Sequence, residues 1–128
     1  MVILCKTKHF SRWSAKAKLS DSALLGAVQE IQLGLFDADL GGGIIKKRVA
    51  LPGRGKRGST RTLLATNRDD RWFFVFGFEK KERDNITAQE LESLRLLAAD
   101  LLRLSGSQVL EAIRHGTLVE IHDETDKA

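Results

Sequence analysis

The sequence predicts an α+β fold: a small antiparallel sheet with two N-terminal helices and one or two C-terminal helices. Three observations lead there. Apolar residues recur at helical spacing, as in Leu24, Leu25, Val28, Ile31 and Leu35, and again in Leu91, Leu94, Leu97, Ala98 and Leu101. Between these segments lie short runs of branched and aromatic residues bounded by glycine-rich or Asn/Asp-rich turns. The chain has 128 residues, the size of one domain, and no repeat, linker or composition break divides it. Residues 1–128 therefore read as a single domain whose last few residues fray.

The elements follow in order. Residues 1–5 form a short buried strand. Thr7 caps a helix running to about Lys18, with Phe10, Trp13 and Ala17 on one face. Ser20 or Asp21 caps a second helix to about Leu35. Asp39-Leu40-Gly41-Gly42-Gly43 breaks the period and reads as a loop. Ile44–Leu51, Thr60–Thr66 and Arg71–Phe78 are the strands of a meander. The glycine-rich basic segment from Pro52 to Gly58 joins the first two, and Asn67–Asp70 turns tightly into the third. Thr87-Ala88-Gln89-Glu90 is a capping box and starts a leucine-faced helix. Ser105-Gly106 ends that helix, Ser107–His115 forms a shorter one, and Leu118–Ile121 forms a last strand. The helices are expected on one side of the sheet, leaving its other face or its edge for a ligand.

Charge narrows the function. The formal net charge is +4, and its distribution says more than its size. From Ile44 to Leu64 there are seven basic residues (Lys46, Lys47, Arg48, Arg54, Lys56, Arg57 and Arg61) and no acidic one. The acids lie elsewhere, notably Glu120, Asp123, Glu124 and Asp126 near the end. Cys5 is the single cysteine, so no internal disulfide can form; its apolar neighbours give it a packing role. No run of apolar residues is long enough to span a membrane, and the N-terminus has no signal-peptide core. A cytoplasmic protein is expected.

Alternation along a strand puts Lys46 and Arg48 on one face and Lys47 on the other. Arg61 follows the basic hairpin and approaches the same region, and Lys80, Lys81 and Arg83 follow the aromatic strand. Cations from three strand ends thus surround one groove. Phosphate oxygens suit such a groove, because arginine offers a bidentate fork and lysine a point charge. Unpaired bases need flat apolar surfaces, which Phe76 and Phe78 can supply from one face. Strict alternation places Phe74 on that face too, with Phe73 and Val75 opposite. The sequence has no Cys-x-x-Cys, His-Glu-x-x-His or phosphate-binding lysine loop. Its histidines, His9, His115 and His122, are scattered, so no metal site and no groove histidine are expected.

Two stretches resemble RelE/ParE-superfamily toxins, nearest to a HigB-like branch of type II toxin-antitoxin systems. One runs from Gly42 to Leu63, with Lys46-Lys47-Arg48 before the hairpin and Arg61 after it. The other runs from Phe73 to Ile86 and ends Lys80-Lys81-Glu82-Arg83-Asp84-Asn85-Ile86. The order of elements agrees over nearly the whole chain. The resemblance implies a toxin inhibited by a cognate antitoxin, which itself can bring the complex to operator DNA. It also implies a ribosome-dependent endoribonuclease acting on mRNA, with the ribose 2′-hydroxyl attacking phosphorus and no metal or other cofactor. Lys46, Arg48, Arg61, Lys81 and Arg83 match the family's catalytic basic positions. Lys47, Arg54, Lys56, Arg57, Phe76, Phe78 and Lys80 are the further RNA-binding candidates. RelE-type enzymes often carry a tyrosine beyond the last basic cluster. This chain has none, and Thr87 stands at the matching place, where capping occupies it. With no tyrosine or groove histidine, a lysine is left as base. Two alternatives keep the fold: a ParE-like gyrase-inhibiting toxin, and a non-catalytic nucleic-acid-binding protein.

Overall fold

The computed structural model describes residues 2–51 and 59–122. The expected basic hairpin loop with Arg54, Lys56 and Arg57, and the expected frayed tail, lie outside these residues. The described elements are β1 (Ile3–Thr7), α1 (Lys8–Ala17), α2 (Asp21–Gln32), β2 (Ala38–Gly41), β3 (Ile44–Ala50), β4 (Ser59–Thr66), β5 (Arg71–Glu79), α3 (Ala88–Arg103), α4 (Gly106–Arg114) and β6 (Leu118–Glu120). Among the described residues no helix is long and apolar enough to cross a membrane.

The α+β class and the pairs of N- and C-terminal helices are as the sequence predicts, and so are the caps. Thr7, Ser20 and Thr87 each accept a backbone N–H from the first turn of α1, α2 and α3. Ser105 and Gln108 form a second capping box on α4. The α2 helix stops at Gln32 rather than Leu35, because Gly34 takes a φ of +85° and turns the chain out of the helix.

The sheet runs β2-β3-β4-β5-β1-β6. Every neighbouring pair is antiparallel except β1 with β5, which is parallel. The segment expected as a loop contains β2. Asp39 and Gly41 pair with β3, and the turn between them uses Gly42 and Gly43 at positive φ. A Cβ on Gly42 would lie 2.8 Å from the Arg95 side chain, and Arg95 donates to the Leu40 carbonyl, so α3 packs directly onto this turn. Glycine at these positions permits the turn and its close approach to the helix.

Helices cover both faces, which corrects the one-sided arrangement expected. On one face α1 and α2 bring Phe10, Leu24, Ala27, Val28 and Ile31 against Ile45, Val49, Leu64, Trp72 and Phe74. On the other, α3 and α4 bring Leu94, Ala98, Leu101 and Val109 against Ile44, Leu63, Ala65, Phe73 and Val75. The physical reason is legible in β5: Trp72, Phe73, Phe74 and Val75 are consecutive and all buried, and such a run must be covered on both sides.

Two side-chain bonds fix the register of β3 on β4. The buried Thr60 and Thr62 hydroxyls donate to the carbonyls of Val49 and Lys47, their cross-strand partners, at 3.0 and 2.9 Å. On the same face Gly77 lies beneath Trp13. An added Cβ would meet the indole ring at 2.3 Å, and that ring packs against Phe10. Gly77→Ala is therefore expected to destabilise the protein by roughly 1–3 kcal/mol through overpacking. The checks are urea unfolding of Gly77→Ala and of Gly77→Ala combined with Trp13→Leu. The double variant should recover part of the loss, whereas additive losses would place the strain elsewhere.

Candidate RNA-binding face

The site is built from two transverse rows of side chains on the α3 side of the sheet. Arg48 on β3 stands opposite Arg61 on β4, and Arg61 opposite Phe78 on β5. One step along, Lys46 stands opposite Leu63, and Leu63 opposite Phe76. Neighbouring strands are about 4.8 Å apart, so each row crosses three strands in about 10 Å. The α3 helix begins near Phe76 and runs toward Gly43, covering the apolar end of this face. The Arg48–Arg61–Phe78 row lies beyond it.

A β-bulge makes the arrangement possible. The β4–β5 register shifts between Leu63 and Leu64: Leu63 pairs with Phe76, but Leu64 pairs with Phe74. The extra residue puts Val75 and Phe76 on the same face and sends Phe74 into the opposite core. Alternation alone puts Phe74 with Phe76 and Phe78, and Phe73 and Val75 opposite; the bulge reverses both placements, so Phe73 and Val75 share the face of Phe76 and Phe74 does not.

Like charges directly opposite on a sheet repel, so Arg48 beside Arg61 is a local cost. Asp37, just before β2, offsets part of it: its carboxylate lies 3.3 Å from Arg61 Nε. Arg61 also donates to the Ser59 hydroxyl at 3.2 Å, and its side chain is only 14% exposed. It is thus oriented from two sides. Arg48 is exposed, Lys46 is half-buried, and among the described residues neither has an ion-pair partner. An anion placed over this row would relieve the repulsion.

Arg83 joins the site from the segment after β5. Its guanidinium lies over the rings of Phe76 and Phe78, 5.7 and 5.6 Å from their centroids. Both its terminal nitrogens donate to the Glu90 carboxylate, and its Nε donates to the Asn85 carbonyl at 3.2 Å. Glu90 also accepts the Thr87 backbone N–H, so one carboxylate completes the α3 capping box and holds the arginine. The Thr87 backbone N–H, aided by the Thr87 hydroxyl and by Arg83, keeps the Glu90 carboxyl below its ordinary pKa, against a smaller opposing effect of burial. Thr87 is the N-cap, the structural role its sequence position implies.

Not every candidate joins the face. Lys47 lies on the opposite side, 8% exposed, with its ammonium 3.2 Å from Glu30 of α2. Phe78 is 3% exposed, so its ring supports Arg83 rather than offering a free surface; its expected role in stacking is corrected to that extent. Lys80 and Lys81 are exposed, with Lys81 3.8 Å from Glu79. Cys5 is buried in β1 beside the edge strand β6, and burial, with a smaller effect from Glu120, pushes its thiol up to about 11, in keeping with a packing role. Among the described residues no three His, Cys, Asp or Glu side chains converge as a metal-ligand set.

Sequence reasoning missed two residues. One is Asp37. The other is His9, at the start of α1, whose ring lies parallel to that of Phe76 with centroids 5.8 Å apart and planes 9° apart. The groove therefore does contain a histidine. Only the parallel pairing of β1 with β5, a contact distant in sequence, brings the first turn of α1 to this place.

Residues 2–121 match the family described as the RelE toxin of the RelE/RelB toxin-antitoxin system. The chain belongs to the RelE toxin family. The match covers every described element, so this RelE-family protein is the toxin of a toxin-antitoxin system, with an antitoxin as its general partner. It specifies no branch within the family. No curated protein sequence matches the chain.

The lowered pKa of Glu90 gives a signed expectation. A depressed carboxyl contributes stability above its unfolded-state pKa and loses it as pH falls through its folded-state value. Glu90→Gln should therefore melt below the wild-type protein at neutral pH, and the two melting temperatures should converge on acidification into the carboxylate range. Parallel curves at all pH values would show that the Glu90 charge has no part in anchoring α3 and Arg83.

Proposed function

We propose that this RelE-family toxin is a ribosome-dependent endoribonuclease that cuts mRNA on the face bearing the Arg48–Arg61–Phe78 row, and that it acts in the cytoplasm, where ribosomes translate. The observation that carries this reading is the placement of two arginines and a lysine from adjacent strands beside an aromatic surface, at the end of the sheet α3 leaves open.

In this reading the scissile phosphate lies over Arg48 and Arg61. The ribose 2′-hydroxyl attacks the neighbouring phosphorus, the bond from phosphorus to O2′ forms, and the bond to O5′ breaks. The products are a 2′,3′-cyclic phosphate and a 5′-hydroxyl end. Charge builds on the non-bridging oxygens of the pentavalent phosphorane, and fixed guanidinium groups stabilise it there. Arg61 suits this task best, because Asp37 and Ser59 fix its fork before the substrate arrives. In this reading Lys46, on the same face, takes the 2′-hydroxyl proton as an uncharged amine, and a water molecule gives the departing O5′ the proton that makes it a hydroxyl. Arg83 and Lys81 supply charge along the strand, and Arg83 does so from its seat on Phe76. Arg54, Lys56, Arg57 and Lys80 add sequence-independent phosphate contacts. The cognate antitoxin inhibits by covering or distorting this face.

The central test is Arg61. A charge-only contact tolerates Arg61→Lys, but an oriented fork does not. Both Arg61→Lys and Arg61→Ala are expected to lower cleavage at saturating programmed ribosomes by about 100-fold or more. Ribosome binding should change little. Arg54→Ala and Lys56→Ala should instead weaken binding and flatten its salt dependence. Primer extension on cellular mRNA locates the cuts. Full-rate cleavage by Arg61→Lys would remove Arg61 from the transition state. A DNA-damage response without RNA cuts would replace the nuclease reading with gyrase inhibition.

A further inference from the structure

We propose that the recess between the start of α1 and α3 is a nucleobase subsite, in which the His9 ring, backed by Phe76, stacks one unpaired RNA base beside the cationic rows. The proposal rests on the reading of that face as an RNA site. The recess has a volume of about 530 Å³, within the range of small-molecule sites. Its walls include Val75 and Phe76 from β5, the leucine face of α3, Lys8 and His9 in the first turn of α1, and, at the far side, residues of α4 and β6. Phe76 belongs both to this wall and to the Lys46–Leu63–Phe76 row, so the recess is continuous with the proposed phosphate site.

Three features select a base as the occupant. The first is a series of rings, tilted by 49° between Phe78 and Phe76 and parallel within 9° between Phe76 and His9. Phe78, Phe76 and His9 follow one another, with centroids 6.5 and 5.8 Å apart, and burial falls along the series from buried Phe78 through half-buried Phe76 to exposed His9. The imidazole thus extends a supported aromatic series out to solvent, and every base has a π-face to lay on it. The second is charge at both ends: exposed Lys8 stands at the α1 side and Lys46, in line with Phe76, at the other, so an anionic backbone can pass on either side of the base. The third is the lack of edge readout. The walls are mostly hydrocarbon, and the Thr7 hydroxyl on the rim already accepts the Phe10 backbone N–H. Such a recess holds a base by its face and discriminates little between bases.

The role assigned to His9 is that of a flat ring, which separates it from an acid, a base or a cation. The experiment measures binding of short single-stranded RNA carrying a 2′-methoxy group at every ribose, which cannot be cleaved, by fluorescence anisotropy. One set of RNAs carries an abasic residue at each position in turn. One abasic position should weaken wild-type binding by about tenfold, as should His9→Ala on intact RNA, and His9→Ala should lose nothing further on that abasic RNA. His9→Phe should bind intact RNA as wild type does, with an unchanged salt slope. The proposal is overturned if His9→Ala and the abasic loss add independently. It is also overturned if His9→Phe is as weak as His9→Ala, or if His9→Ala lowers the salt slope by about one, the sign of a phosphate contact. If His9→Ala weakens antitoxin binding and leaves RNA binding unchanged, the recess holds a protein side chain instead. Because binding is read without cleavage, the two readings fail separately. Coupling without any mRNA cleavage by the wild-type toxin would leave the subsite standing and remove the nuclease. Cleavage without coupling would do the reverse.

Discussion

The register of β4 between β3 and β5 is the constraint on which the rest of the molecule depends. On the α1–α2 side, two threonine hydroxyls tie β4 to β3 carbonyls, and no buried side-chain polar atom among the described residues lacks a partner. On the α3–α4 side, that register sets Arg48 opposite Arg61 and Lys46 in line with Phe76. A slip of one residue in β4 would exchange its two faces, driving Arg61 into the α1–α2 core and taking Leu64 out of it. Burial of the apolar set on both faces is therefore what holds the cations in place. The bulge in β5 lets one strand serve a core on each side and still turn Phe76 toward the cationic rows.

Electrostatic strain is concentrated at this face and is offset locally. The repulsion between the cross-strand arginines is offset in part by Asp37 beside Arg61, and Arg83 is held by Glu90. Glu90 has two tasks, closing the helix cap and gripping an arginine, so the start of α3 and the position of Arg83 depend on one side chain. The N-terminal end of the helix macrodipole also favours that carboxylate. Membership of the RelE family agrees with such a face, but the family's frequent tyrosine is absent and Thr87 is committed to capping. The proposed chemistry therefore relies on oriented cations and on aromatic surface from Phe76 and His9.

Much of this protein is determined by its sequence alone. Three helix starts are set by Thr7, Ser20 and Thr87, whose oxygens accept N–H groups three residues on; the fourth is set by Ser105, which reads in sequence only as the end of α3. The three meander strands, the concentration of cations on two of them, and the separation of Lys47 from Lys46 and Arg48 follow from local alternation. These are short-range properties, governed by spacing, propensity and hydrogen-bond reach. What tertiary structure decided is different in kind. The β2 strand exists because β3 offers an edge and Arg95 clamps its turn, so three glycines that signal a loop lie in or beside a hairpin. Helices occupy both faces because β5 is apolar on both. Phe74 points away from Phe76 because pairing with β4 absorbs an extra residue, and Asp37 and His9 reach the site through contacts across the sheet. Each of these depends on which strands become neighbours. That choice minimises exposed apolar area over the whole chain, and no window of sequence contains it.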